Sequence, residues 1–109
     1  MKVSELASAL NWTPISAPDA DREVDGVYIG DLLSWVMGRA SCDNVWITIM
    51  SNVNVVAVAS LVDVACIVLA EGVTLDETVA ETARQKGVNV YSADQPAYGI
   101  ASALSRMLE

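Results

Sequence analysis

Hydrophobic residues along the chain follow two patterns, one with helical spacing and one of short continuous runs. Apolar positions three or four residues apart predict helices over residues 4–10, 32–39 and 96–108. Continuous runs rich in β-branched residues predict strands over residues 24–29, 45–50, 65–70 and 88–91. A loop is predicted from Pro14 to Arg22, because prolines and aspartates interrupt both patterns there.

Two further helices are predicted from signals other than apolar spacing. Residues 74–77 have the spacing of a capping box, and the helix they begin should end before Gly87. Residues 54–61 are rich in valine but are predicted to be helical, because a strand there would leave no room for a crossover between two long strands. This helix is apolar nearly all round, so we expect it to be buried between the sheet and another layer, which a second subunit could supply.

Strands that alternate with helices favour parallel β-α units with right-handed crossovers and helices on both faces of a sheet. The pattern therefore predicts an α/β fold, a three-layer α/β/α sandwich around a small, mainly parallel sheet. A chain of 109 residues has room for one such core, so we expect a single domain over residues 1–109.

Charge and hydropathy exclude several classes of partner. The net charge is −8, and no basic residue lies between Ala40 and Ala83, which argues against nucleic acid. An anion bound in that region would depend on backbone amides. The most apolar stretch, residues 55–70, is too short to span a membrane and contains Ser60 and Asp63. The N-terminus does not resemble a signal peptide, so we expect a cytoplasmic protein.

Candidate chemistry is sparse. The chain has no histidine, and its two cysteines, Cys42 and Cys66, are too few for a metal site. Glycine-rich phosphate loops and nucleophile elbows are absent, and neither lysine is well placed to act as a base. We therefore expect no catalytic centre, no metal and no cofactor.

Ligands of open parallel sheets bind at the carboxyl ends of the strands, beside helix N-termini. The candidate ligand-binding residues at these positions are Gly30, Asp31, Ser51, Asn52, Asn54, Gly72, Ser92 and Asp94. Each also has a structural interpretation, since Asp31, Asn54 and Asp94 are suited to helix caps and Gly72 to a turn. Arg22 is a further candidate, which either clamps an anionic ligand or pairs with a local carboxylate.

The tryptophans carry separate expectations. Trp46 lies within a predicted buried strand and should belong to the core, whereas Trp35 should pack at the edge of its helix. Trp12 stands beside loop prolines and is expected to be partly exposed.

The sequence resembles the DRTGG domain family over nearly its whole length. The resemblance is carried by DREVDGVYIGDLLSWVMG, by VWITIMSNVNVVAVASLVDVACIVLAEG, by the strand VNVY and by the final helix DQPAYGIASAL. The string Asp-Arg-Thr-Gly-Gly is absent, so the chain is similar to short, stand-alone relatives. The resemblance implies a fold like the N-terminal domain of HPr kinase/phosphorylase and a regulatory or assembly role. It implies no kinase activity, because the phosphate-binding loop of HPr kinase belongs to its other domain.

Three functional hypotheses follow. The first is a non-catalytic regulatory module that binds a small anionic metabolite or nucleotide near Arg22, Ser51, Asn52 and Ser92. We expect this module to be a homo-oligomer, with a dimer as the preferred state. The second is a protein-interaction or assembly subunit that uses helix 54–61 and exposed tryptophan surface. The third, phosphotransfer by Asp31 or Asp94 with an added metal, is disfavoured because the carboxylates are dispersed.

Overall fold

The computed structural model describes residues 1–109 and contains five helices and five strands, which alternate except that β1 and β2 are consecutive. Their bounds are α1 Val3–Ala9, β1 Thr13–Ser16, β2 Gly26–Ile29, α2 Leu33–Arg39, β3 Asn44–Thr48, α3 Val53–Val62, β4 Cys66–Leu69, α4 Glu77–Gln85, β5 Val90–Ser92 and α5 Ala97–Met107. The strands form one sheet in the order β1-β5-β4-β3-β2. Strands β2 to β5 are parallel, and β1 alone is antiparallel, paired with β5. The predicted α/β fold and mainly parallel sheet are confirmed.

Both faces of the sheet are covered. On one face, Val45, Ile47 and Val68 pack in a cluster that includes buried residues of α1 and α5. On the other face, Trp46 and Ile67 pack in a cluster that draws on α2, α3 and α4. Coverage on both faces explains why β3 and β4 are continuous apolar runs rather than alternating ones.

Strand β1 was not predicted, because Thr13–Ser16 lies within the expected loop. Its register against β5 is irregular between Pro14 and Ser16. Proline is tolerated here because β1 is at the edge of the sheet, where an amide can face away from the neighbouring strand. A four-residue edge strand that contains proline carries almost no local signal.

This missed strand also overturns the expectation for Trp12. Pairing of β1 with β5 brings the Trp12 ring to 5.9 Å from that of Tyr91, and only 5% of Trp12 is exposed. Trp46 is fully buried, as predicted. Trp35 lies on the surface of α2, where the Arg39 guanidinium stacks 3.8 Å from its ring centroid.

Helix α3 confirms the helical interpretation of the valine-rich segment. Val55, Val56, Val58 and Ala59 are buried against the sheet, while Asn54, Ala57 and Ser60 are exposed. The apolar stripe predicted for α2 is less buried than expected. Only Val36 is fully enclosed, because this short helix covers the margin of the sheet. None of the five helices has the length and hydropathy that a bilayer-spanning helix requires.

Candidate functional site: the carboxyl edge of the sheet

Eight of the nine candidate residues lie at one edge of the sheet. Because β2, β3, β4 and β5 are parallel, the segments that follow them emerge together at the carboxyl edge. The residues placed there are Gly30, Asp31, Ser51, Asn52, Asn54, Gly72, Ser92 and Asp94. Parallel topology thus brings together positions that are up to 64 residues apart, which is the difference between 30 and 94.

Asp31 joins the ends of β2 and β3. Its Oδ1 accepts hydrogen bonds from Thr48 Oγ1 at 2.7 Å and from the Ile49 amide at 3.1 Å. It is not the predicted helix cap, since Leu32 occupies the N-cap position of α2. A carboxylate that accepts bonds from the next strand fixes the relative positions of the two loops.

Gly30 provides close packing beside Asp31. A Cβ at Gly30 would lie 2.9 Å from Cε2 of Tyr28, so a larger residue would displace that ring. Its carbonyl accepts a hydrogen bond of 2.9 Å from Trp46 Nε1. Both contacts are structural, and they leave Gly30 little freedom to contact a ligand.

The N-terminus of α3 is capped by its own sequence. Asn52 is the N-cap residue, and its side chain accepts a hydrogen bond of 2.9 Å from the Asn54 amide. Asn54, which was the predicted cap, is instead an exposed residue of the first turn. Ser51 is exposed ahead of the cap. One of the orphan amides of α3 is thus already satisfied.

Gly72 and Ser92 hold the end of β4 against the end of β5. Gly72 has a φ of +73°, a backbone conformation that glycine adopts without strain, and its amide donates to the Ala93 carbonyl. The Ser92 hydroxyl is largely buried and donates to the Val73 carbonyl at 2.7 Å. These bonds stabilise the carboxyl edge, and they leave neither the Gly72 amide nor the Ser92 hydroxyl free to bind a ligand.

Asp94 is the candidate residue that lines a cavity. A half-open cavity of about 250 Å³ lies between the end of α1 and the turn from β5 into α5. Leu10, Asn11, Ala93, Asp94 and Gln95 surround it. Asp94 is not the predicted cap of α5, because Pro96 occupies the N-cap position. Its carboxylate is therefore free of a capping role.

The N-terminus of α5, directly after the cavity, is open. Pro96 provides no side-chain cap, and the first turn contains no acidic residue. The amides of the first turn of a helix have no intrahelical partner, and the helix dipole favours negative charge beside them. Helix α5 thus differs from α3, whose Asn52 side chain satisfies an amide of its first turn.

Sequence reasoning missed Leu10, Asn11, Ala93 and Gln95 as cavity residues. Asn11 has a φ of +58° directly after α1, and asparagine tolerates this conformation better than most residues. An asparagine after a short helix was therefore the available signal. Its position beside Asp94 depends on β1, which the sequence did not reveal.

Arg22 lies at the opposite edge of the sheet from the other candidates. Its guanidinium binds Asp43 Oδ1 at 2.5 Å and Asp63 Oδ1 at 2.7 Å, and it also donates to the Asp63 carbonyl. Asp43 and Asp63 directly precede β3 and the turn into β4, so about 15 Å of strand separates Arg22 from Ser51 and Asn52. Two roles were predicted for Arg22, and the structure shows the second of them, the pairing with local carboxylates.

The ion pairs of Arg22 dominate the electrostatics of this edge of the sheet, which we call the amino edge because the parallel strands begin there. Burial opposes the charge on Arg22, but the bonds to Asp43 and Asp63 outweigh it and raise the pKa of the guanidinium. The hydrogen bond from Arg22 lowers the pKa of the Asp43 carboxyl. Desolvation and a hydrogen bond to Asp63 raise the pKa of the neighbouring Cys42 thiol. Burial raises the pKa of the Cys66 thiol to about 12, so both cysteines are protonated at neutral pH.

No protein-family model matches the sequence, and no curated protein matches it. The fold does have a known counterpart. It is similar to the crystal structure of the CBS and DRTGG domains of the regulatory region of Clostridium perfringens pyrophosphatase, complexed with its activator diadenosine tetraphosphate. The TM-score is 0.72 at 12% sequence identity. The similarity covers 98% of this chain and 45% of that chain, so this protein spans less than half the length of the structure it matches.

Proposed function

We propose that this chain is a non-catalytic regulatory module, a single DRTGG-like domain that binds a nucleotide at the carboxyl edge of its sheet. The observation that carries the proposal is the cavity at Asp94, which adjoins the uncapped N-terminus of α5. The similarity in fold to a regulatory region complexed with a nucleotide activator supports the same class of ligand.

The two parts of this site suit the two parts of a nucleotide. A phosphate group would accept hydrogen bonds from the amides of the first turn of α5, Ala97 to Gly99. Sugar hydroxyls or a base amino group would donate hydrogen bonds to the Asp94 carboxylate. The side-chain amide groups of the exposed residues Asn11 and Gln95 can both donate and accept hydrogen bonds. The phosphate must lie at the helix rather than in the cavity, since Asp94 would repel it.

Backbone amides are the donors that the composition leaves for an anion. No lysine or arginine lies in the segments that connect β2, β3, β4 and β5 to the helices that follow them, residues 30–32, 49–52, 70–76 and 93–96. Arg22 is at the other edge and already holds two carboxylates. The proposed site therefore excludes Arg22 and uses helix α5.

Isothermal titration calorimetry tests the proposal with diadenosine tetraphosphate, ATP, AMP and inorganic phosphate as probes. Tyr98, which is 84% exposed in the first turn of α5, is the residue to change. Tyr98→Glu places a carboxylate where the helix dipole favours it but where it repels a phosphate. We expect nucleotide affinity to fall roughly fivefold while the folded state is retained.

Tyr98→Gln is the matched control, because it removes the ring in the same way without adding charge. The proposal fails if no probe binds at millimolar concentration, or if the two variants weaken binding equally.

Assembly is a second candidate function, supported by exposed apolar side chains around α2 and on the neighbouring helix α3. Leu32, Trp35 and Met37 are each about half exposed around α2, and Leu61 of α3 is 71% exposed. Exposed apolar side chains that cluster on one surface are typical of protein contacts. Light scattering over a concentration series tests this function, and a monomer at every concentration would exclude self-assembly.

A further inference from the structure

The two edge strands of the sheet differ in how well they are protected. At β1, Pro14 and an irregular register interrupt the strand, and Arg84 Nη1 donates to the Ile15 carbonyl at 3.1 Å. Proline, bulges and charged side chains are the usual features that stop an edge strand from pairing with another chain. Strand β1 has all three.

Strand β2 has none of these features. Gly26–Ile29 contains no proline and no charged residue, and its register against β3 is regular. Its residues are half-buried except for Ile29, which is 50% exposed. An edge of this kind presents unpaired backbone groups to any strand that can approach it.

The backbone groups that face outward can be identified. The Gly30 amide donates to the Ile47 carbonyl, and inward and outward residues alternate along a strand in a parallel pair. Tyr28 therefore directs its amide and carbonyl toward β3, whereas Val27 and Ile29 direct theirs away from the sheet.

We propose that β2 pairs with β2 of a second copy of this chain, antiparallel, about a two-fold axis at Tyr28. In that register Val27 of each copy lies opposite Ile29 of the other, and each such pair exchanges two hydrogen bonds. All the outward amides and carbonyls of Val27 and Ile29 are then satisfied. This inference rests on the assembly function and is independent of nucleotide binding.

A second copy is the occupant because the segment is complementary to itself. A two-fold axis at Tyr28 matches outward donors to outward acceptors on both sides, which an isologous interface requires. It also places the half-exposed Ile29 side chain beside Val27 of the other copy, on the same face of the extended sheet.

The uncharged sequence of β2 distinguishes this contact from other approaches between two copies. Each chain carries a net charge of −8, so most of the surface repels a second copy. Strand β2 is an uncharged segment, and the apolar residues Leu32 and Trp35 follow it in the chain. The register does bring Asp25 opposite Asp31 of the other copy, so we expect the dimer to strengthen as NaCl is raised.

Sedimentation velocity of the full chain gives the first test. Ile29→Lys should raise the dimer dissociation constant at least about tenfold, because a lysine on an edge strand opposes pairing. Gln85→Lys, at an exposed position of α4, is the matched control and should leave the constant unchanged, because α4 packs beside β1 at the opposite end of the sheet.

Disulfide trapping tests the register. In a Cys42→Ser background, the Tyr28→Cys variant should form disulfide-linked dimers under mild oxidation, because residues in a non-hydrogen-bonded antiparallel pair have Cα atoms about 4.5 Å apart. Gln85→Cys, on α4 beside β1, should link at least about tenfold more slowly in the same background, since its thiols would meet only by collision.

The outcomes separate the two ideas. A wild-type monomer at every concentration overturns both the assembly function and the β2 pairing. A dimer that Ile29→Lys leaves intact, or equal linking rates for the two cysteine variants, overturns the β2 pairing and leaves assembly standing. Calorimetry on Ile29→Lys reports nucleotide binding separately.

Discussion

The two ends of the parallel strands differ in how many of their polar groups are left without a partner in the chain. At the amino edge, Arg22 binds Asp43 and Asp63, and the buried Asn89 makes three hydrogen bonds to the Asp19 backbone and the Ala65 carbonyl. At the carboxyl edge, Asp94 and Gln95 are exposed around a cavity beside an uncapped helix. Polar groups at the first edge are satisfied within the chain. At the second edge Asp31, Asn52 and Ser92 are also bonded within the chain, and the groups left available are those around the cavity.

This difference shows that the role of a polar residue near a strand end can be assigned only when its hydrogen-bond and ion-pair partners are known. In sequence, Arg22 was suited equally to clamping an anionic ligand and to pairing with a local carboxylate, and the structure shows its donors bound to Asp43 and Asp63. Asp94 resembled a helix cap, yet Pro96 takes that position and leaves its carboxylate free. We therefore expect substitutions at the amino edge to lower stability and those at the carboxyl edge to alter binding.

The largest effect on stability should come from Asn89→Ala. Asn89 is 2% exposed, and its loss leaves the buried Ala65 carbonyl without its Asn89 partner and frees the 17–21 loop. We expect the free energy of unfolding to fall by about 3 kcal/mol, measured by urea denaturation. Asn54→Ala is the control at the carboxyl edge, where an exposed asparagine should contribute within about 0.5 kcal/mol. Equal losses in the two variants would remove the distinction between the edges.

Arg22→Met should have the next largest effect. The side chain is 18% exposed and holds two carboxylates, so its removal leaves both without a cation. We expect a loss of about 2 kcal/mol in the free energy of unfolding. Arg106→Met, which removes an exposed bond to Ser102, is the control and should be nearly neutral. A neutral Arg22→Met would show that the amino edge is not held by this cluster.

The smallest effect is the dependence of stability on pH. Arg22 lowers the pKa of Asp43 in the folded state below its ordinary value of 3.8, so the unfolded chain binds the proton more readily. The resulting stabilisation is complete above the ordinary pKa and is lost as the pH falls through the lower, folded-state value. Urea denaturation from neutral pH to about pH 3 should show the gap between wild type and Arg22→Met narrowing in acid. Parallel pH profiles would contradict the assigned cause.

The local sequence predicted an element correctly where a single signal, such as a helix-ending glycine or apolar residues at helical spacing, defines that element. Gly87 ends α4 with a φ of +73°, and Ile100 and Leu104 form the buried face of α5, as their spacing predicts. The valine-rich α3 was recovered from chain connectivity rather than from helix propensity. Those arguments placed eight candidate residues at the carboxyl edge, where they lie in the structure, since parallel strands fix which ends emerge together.

Local sequence rules did not predict which residues come together in the fold. The cavity requires Asn11 to lie beside Asp94, and this contact depends on β1, whose proline conceals it. The N-cap positions went to Leu32, Asn52 and Pro96, because the tertiary contacts of Asp31 and the turn before α5 set where each helix begins.

The sequence by itself determined the α/β alternation, the two-sided burial of the central strands and the edge at which the candidate residues gather. These follow from hydrophobic periodicity and the handedness of β-α units, which act along short stretches of chain. Only the tertiary structure decided that Arg22 is held by Asp43 and Asp63, that Trp12 is buried and that Asp94 lines a cavity. Each of these depends on a contact between residues distant in sequence, whose geometry no local pattern encodes.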